Sequence, residues 1–590
     1  NKQAAYATDS TRGTTPIYQP IANLSAAKSA YGNIVYRKAP SFLRQAEFYL
    51  GEDKFQTAVR AFLKKHAFAN AGWEDLVGEF ERASGKDLKP WGTRWVTRRG
   101  MPVVSLVPDP AKPSDYFVKQ RPVPDDDSGR PEKLRVMAFR AGRPAQVQDI
   151  SILAADFMQR NGVGQTIHFD APQAFVLPNY GDYGYGIFLL DDKSRDYVLR
   201  HIGEEKDPFL RSMMWGALWD SVREAELDPR EYVELVIKQL GGKSDAFTRS
   251  NAVSSGVKGN SSTPGTPKGV TLTFESDETI VASLLGRVST ALNYYVPDAE
   301  RVSSPSVSEG VGRQTRTPSL TVGLRTRLEA VLLDRMQRAE TPGQRITFYR
   351  AFVANAVTER GRSVLKQMLA QSSATKSEPP ASAGGVTPTA RSTPGPGSKR
   401  GSAAAVAPPA NAGGSDLRLR TKDRFDIVTR LIILGDPDAP KLLADLERSE
   451  TSDDAKRYAY AAHAAFATAE NRARFWNDFV NNKDISESWI EAAIGPFNSI
   501  RYPELSQPYL ERALEELPNL KRTRKIFFIN NWLSAWLGGQ RDEKALAIVN
   551  KFLANNPQLD NDLRLKVLEN ADAIERAVKI RQAFKTATTK

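Results

Sequence analysis

The feature that most constrains how this chain can fold is a change of hydrophobic period. From residue 40 to about 95 the apolar positions recur at helical spacing: Phe42, Leu43, Ala46, Tyr49 and Leu50, then Phe55, Val59, Phe62 and Leu63, then Trp73, Leu76, Val77 and Phe80. That spacing lines one face of a 3.6-residue turn, so three successive amphipathic helices are predicted. Pro40 suits the first turn of the first helix, where a missing N–H costs nothing, and Gly51 suits its end. Gly100-Met101-Pro102 breaks the pattern. Short β-rich runs follow at 134–139, 147–152, 166–169 and 186–190, separated by Pro, Gly and Asp clusters. They predict a small β-sandwich of under about a hundred residues.

From Asp207 helical spacing resumes and continues to the end. Helices are expected at 209–222, 232–240, 280–295, 324–336, 346–357, 425–434 and 455–467, with more between 485 and 584. Gly435-Asp436-Pro437 and Asn555-Asn556-Pro557 supply stop and start chemistry between neighbours. Without a sharp sequence repeat, such pairs suggest an irregular HEAT-like superhelix. Three stretches, 250–270, 302–318 and 372–415, are rich in Ser, Pro, Gly, Thr and Ala; they carry too little apolar surface to offset ordering entropy and are expected as disordered insertions.

At 590 residues the chain exceeds what one hydrophobic core supports, so several domains are expected. A hydrophobic fraction of 41% and a charged fraction of 26% fit a soluble protein, and no apolar run approaches the roughly 20 residues of a membrane span. The lack of cysteine removes disulfides, thiolate nucleophiles and Cys-based zinc or iron–sulfur sites. A net charge of +13 raises nucleic acid as a partner. Yet basic and acidic residues are interleaved, as in Arg327-Leu-Glu329 and Arg512-Ala-Leu-Glu515, and no basic block with interleaved aromatics occurs, so a solvated basic surface and no nucleic-acid partner are expected. The start, Asn1-Lys-Gln-Ala-Ala-Tyr, has neither an initiator Met nor the order of a signal peptide and reads as the interior of a longer protein.

Most motifs of catalysis are missing. The only histidines are His66, His168, His201 and His463, and none has a second His four residues away, as two imidazoles on one helical face require. His201-Ile-Gly-Glu-Glu205 has Glu where an inverted zinc motif needs His, and reads as a solvated helix start. His168 reads as a structural strand residue, with Ile167 and Phe169 on the opposite face. Gly310-Val-Gly312 lacks the flanking strand and helix of a phosphate loop and reads as linker. No G-x-S-x-G element occurs.

One element remains, Tyr31-Gly-Asn-Ile-Val-Tyr36-Arg-Lys38, running into the Phe42/Leu43 helix. It resembles the Tyr-x-Lys segment of the M1 (gluzincin, aminopeptidase N-like) metallopeptidases. Leu50-Gly-Glu-Asp-Lys-Phe55, Ala83-Ser-Gly85-Lys-Asp-Leu88 and Trp95 through Val104 are similar to the helical end of the M1 catalytic domain and its passage into a β-sandwich. Val176-Leu-Pro-Asn179 through Tyr185 resembles the closing strand of that sandwich, and Asp207-Pro-Phe-Leu-Arg211 with Leu218-Trp219-Asp220 resembles the opening of the family's helical domain. The resemblance covers almost the full length apart from the insertions.

The resemblance implies a multidomain, mainly α protein: residues 1–100 as the C-terminal helical part of a thermolysin-like catalytic domain, 101–195 as a β-sandwich, and 196–590 as an α-helical solenoid. It implies that Tyr36 is catalytic, stabilising the tetrahedral transition state of peptide hydrolysis, and that Tyr31 either lines the same cleft and binds substrate or merely packs. Lys38 is expected to face solvent or pair with a carboxylate. In the family the H-E-x-x-H pair, a downstream Glu and a Gly-x-Met-x-Asn loop precede the tyrosine and here would fall before Asn1. One catalytic zinc is therefore implied for the full-length protein, with no metal ligand in this chain. Peptide substrates, no nucleic acid, no integral membrane segment and a monomer are expected; the compartment stays open between bacterial periplasmic or extracytoplasmic and cytoplasmic. The alternative is a noncatalytic M1-like helical-repeat scaffold without zinc.

Overall fold

A computed structural model of the protein describes residues 2–124, 130–152, 163–241, 278–296, 320–374 and 419–585. These are mainly helical, with two small sheets. The stretches 250–270 and 302–318 lie outside the described residues, as does 372–415 except for its first three positions. Those three do not start an insertion; they close the helix Glu359–Ala374, since Ser and Ala extend a helix already under way.

The first part holds the helices Lys2–Asp9, Leu24–Ala30, Ala39–Leu50, Glu52–Lys65, Trp73–Ser84 and Lys89–Thr97, with a π-helical turn at Ile34–Lys38. Where three helices were expected between 40 and 95, there are four. The additional one starts at Lys89-Pro90 and buries Trp91 and Trp95, one turn apart, against Phe42. Pro40 does stand in the first turn of its helix, and Gly51, at φ 87°, ends it. Phe42, Ala46, Val77, Phe80, Trp91 and Trp95 form the core of this part.

Among the described residues seven strands follow: β1 (Met101–Pro108), β2 (Asp115–Val123), β3 (Glu132–Phe139), β4 (Gln146–Ile152), β5 (Val163–His168), β6 (Phe175–Leu177) and β7 (Ile187–Leu189). One sheet has the order β5-β2-β1-β7 and the other β4-β3-β6. The β1–β7 pair is parallel, with Val103 opposite Ile187. Val104, Leu106 and Val118 of the first sheet share an apolar core with Leu134, Val136 and Ile150 of the second. The reverse face of the first sheet is covered as well, because Met101, Val103, Ile187 and Leu189 join the core of the preceding helices. Hence β1 reads as an apolar run broken only by Ser105 rather than as an alternation. The second sheet gives Met137, Phe175 and Leu177 to the core of the helices that follow.

Helices then run from Asp192 to Ala583. The first of them, Asp192–His201, is capped by Asp191, whose side chain accepts from the Ser194 N–H at 3.1 Å. His201 thus closes a helix instead of starting one. Later helices build two large apolar clusters, one reaching from Val198 to Ile580 and one from Ala461 to Ile574. The last helix, Asn561–Ala583, returns to the beginning of the chain. A Cβ on Gly13 would lie 2.0 Å from the Leu565 carbonyl oxygen, Arg12 pairs with Glu575, and Arg99 donates to the Arg12 carbonyl at 3.1 Å. No described helix is long and apolar enough to cross a membrane.

Candidate functional site

Tyr36 lies in the π-helical turn Ile34–Lys38, which leads directly into the helix Ala39–Leu50. Such turns are rare overall and frequent at functional sites, although a second one, at Ala291–Tyr295, lies in the helical core. The turn is pinned by Lys38, which is fully buried and does not face solvent. Its Nζ lies 2.8 Å from Asp9 Oδ2 and donates to the carbonyls of Gly100 at 2.9 Å and Arg98 at 3.3 Å. Two carbonyls thus accept from the ammonium, and Asp9 meets it as an ion pair. Asp9, equally buried, is completed on its other oxygen by the Thr14 hydroxyl at 2.6 Å and the Gly100 N–H at 2.9 Å. Burying two charges is tolerable because each lies against the other and both make further hydrogen bonds to their surroundings.

The network joins three segments: the helix Lys2–Asp9, the tyrosine turn, and the entry to β1. Arg130, also fully buried, donates to the carbonyls of Arg98 and Arg99 at 3.0 and 3.2 Å and stiffens that entry further. Below lie Tyr185, its ring centroid 5.9 Å from Lys38 Nζ, and Glu132, which accepts from the Tyr185 N–H at 3.3 Å. Burial pushes the Glu132 carboxyl up to about 8, against the pull of Arg130, Lys2 and Lys38.

Two residues from the buried Lys38, Tyr36 points the other way and is 63% exposed. Tyr31, 57% exposed, meets it edge-on with ring centroids 6.0 Å apart. Asn33 holds the start of the turn, donating to Thr8 Oγ1 at 3.1 Å and accepting from Arg37 Nε at 3.1 Å. The result is a pair of exposed phenols, one of them on a turn whose backbone is held by Lys38 and Asn33. A phenol on such a turn can donate a hydrogen bond to an anionic oxygen that forms beside it.

The structure therefore brings Tyr31 and Tyr36 together and sets Lys38 behind them as an anchor. The four histidines are scattered, each against a different acid: His66 3.9 Å from Asp75, His168 2.9 Å from Asp115, His201 3.0 Å from Glu204 and His463 2.9 Å from Glu447. Ile167 and Phe169 are buried while the His168 side chain is 66% exposed, as a strand residue on the solvent face would be. Among the described residues no three His, Asp or Glu side chains converge as a metal ion needs, so the residues present do not fit zinc. Sequence reasoning passed over Asp9, which sits at the end of a short helix with no hydrophobic period. Its only signal was a lysine, Lys38, set among apolar helical positions.

Residues 1–95, which include this whole element, match the model of the Peptidase family M1 domain. Over 99% of its length the chain is 25% identical to Aminopeptidase N of Streptomyces lividans, and it covers 58% of that protein. Over 98 residues, 17% of the chain, it is 36% identical to Aminopeptidase M1-D of Oryza sativa subsp. japonica, covering 11% of it. Over 105 residues, 18% of the chain, it is 32% identical to Tricorn protease-interacting factor F2 of Thermoplasma volcanium, covering 13% of it. The chain is thus related to the M1 peptidases, through the match of its first 95 residues and, at lower identity, through nearly its whole length.

Proposed function

We propose that the chain is the C-terminal portion of a zinc-dependent M1 aminopeptidase that removes N-terminal residues from peptides. Residues 1–100 are then the end of its catalytic domain, 101–195 a β-sandwich and 196–590 a HEAT-like helical domain. The observation that carries the reading is an exposed Tyr36 on a fully buried Lys38–Asp9 anchor, inside the stretch that matches the family. Zinc finds no ligand set among the described residues, and its ligands are assigned to the remainder of the enzyme.

What this chain contributes is a donor. When a peptide carbonyl is attacked its oxygen becomes anionic, and the Tyr36 O–H hydrogen-bonds that oxygen more strongly in the transition state than in the ground state. The anchor holds the backbone of the turn that carries the phenol. Tyr31, edge-on to it, walls the same surface and contacts substrate.

The test is hydrolysis of aminoacyl-anilides by the full-length enzyme and its Tyr36→Phe variant. Loss of one such donor is expected to lower kcat by about 10²–10³-fold, with folding intact because the side chain is exposed. Unchanged turnover would sink the assignment.

A further inference from the structure

A cavity of about 440 Å³ lies where the helix Lys2–Asp9 meets the helices Pro208–Arg223 and Glu278–Thr290. Small-molecule sites span roughly 300–1,000 Å³. Asp220 stands in its wall, 3% exposed, and its Oδ1 is buried with no hydrogen-bond partner among the described residues. Buried carboxylates are seldom left without a donor, so something that enters the cavity is expected to supply one. Burial pushes this carboxyl up to about 7, while Arg223 and Arg287 pull it down.

Arg287 lines the same cavity yet spends Nη1 on the Trp215 carbonyl, at 3.1 Å, instead of on Asp220. Arg37, the neighbour of Tyr36, adds a second guanidinium to the lining. The other charged pair in the wall is already closed, since Lys2 Nζ lies 3.3 Å from Asp182 Oδ1 and also bonds the carbonyls of Asp182 and Gly184. Phe209, Trp215 and Leu284 give the wall an apolar patch beside polar groups such as Gln3, Asn179 and Ser212.

An acid and a base in one cavity, near enough to feel each other but not paired, match a ligand that carries both charges on one carbon. A lone ammonium would add a positive charge beside Arg287 and bring nothing for its guanidinium to bond. A lone carboxylate would leave Asp220 without its donor. We infer that this cavity binds a free zwitterionic α-amino acid, Asp220 accepting from its ammonium, Arg287 donating to its carboxylate, and the apolar patch receiving its side chain. The inference stands without the peptidase reading; where that reading also holds, the ligand belongs to the class of product the reaction releases.

Calorimetric titration of the 590-residue chain with L-leucine is expected to show saturable binding. N-acetyl-L-leucine, which lacks the ammonium, and L-leucinamide, which lacks the carboxylate, should each bind at least about ten-fold more weakly, as expected when a charged group loses its hydrogen bond. Asp220→Asn, which keeps the shape, should weaken L-leucine binding by a similar factor. Ser283→Trp, at the exposed rim of the cavity, should block it and covers the case in which the buried variant does not fold. No binding of L-leucine, equal binding of either derivative, or full affinity retained by both variants would overturn the assignment. Tyr36→Phe should leave this binding unchanged, so failure here and failure of the proposed catalytic role give different results.

Discussion

Lys38 has no contact with water, and its side-chain charge is met by Asp9 and two carbonyls. Removing one member of such a pair strands the other, so Lys38→Met is expected to cost about 3–5 kcal/mol in a denaturant titration. The double variant Asp9→Asn/Lys38→Met should recover much of that loss, because neither partner is then left as an unpaired charge. Glu132 gives a pH test. Its carboxyl has an ordinary value of 4.5 and is pushed up to about 8 by burial, so the folded chain holds a proton that the unfolded chain releases. Its contribution to stability is full below 4.5 and is lost as pH rises toward 8, at a slope of up to about 1.4 kcal/mol per pH unit for one proton. Glu132→Gln should flatten that part of the profile, read as thermal midpoints at pH 5 and pH 8. The sequence points to Tyr31 and Tyr36 as candidates because their neighbourhood is a local motif. Asp9, Glu132 and Asp220 were not, because what makes each of them unusual lies far along the chain or in a cavity that exists only after folding.

Among the elements, the ones with strong local signals were the ones readable in advance. The helices Ala39–Leu50, Glu52–Lys65 and Trp73–Ser84 show periodic apolar faces, and Gly51 marks the joint between the first two. That joint yields a prediction: a Cβ on Gly51 meets nothing within 4 Å, but φ of 87° is costly for any other residue. Gly51→Ala should therefore lose about 1 kcal/mol through the backbone alone, measured by chemical denaturation. Lys2–Asp9 and Asp192–His201 escaped notice for the opposite reason. The first is short, with only Ala5, Tyr6 and Asp9 buried; the second is strongly polar and is started by the Asp191 cap more than by an apolar face. The edges of β3 and β4 fell within two residues of expectation, and those of β5 within three, because each shows a short β-rich run between breakers. The partners of those strands were not readable, since pairing β1 with β7 in parallel depends on a crossover that spans the rest of the strand region.

On the scale of the whole molecule, the beginning of the chain is clamped between the sheets and the last helix. Arg223 donates to Ser10 Oγ at 3.1 Å, Arg576 donates to the Arg223 carbonyl at 2.9 Å, and Gly13 presses against the backbone of Leu565 and Glu569. Gly13→Ala puts a methyl group into backbone that cannot yield. It is expected to cost about 1–3 kcal/mol and to open residues 8–14 to limited proteolysis before any other described segment. The same contact has a consequence for how the protein is made. Arg12 and Glu575 are 563 positions apart, so nearly the whole chain must leave the ribosome before they can meet. At roughly 5–20 residues per second, the segment that carries Asp9 waits about half a minute to two minutes for its final support. During that interval the floor under Tyr36 is unfinished, and the nascent chain depends on the cell to keep its exposed apolar surface from other partners.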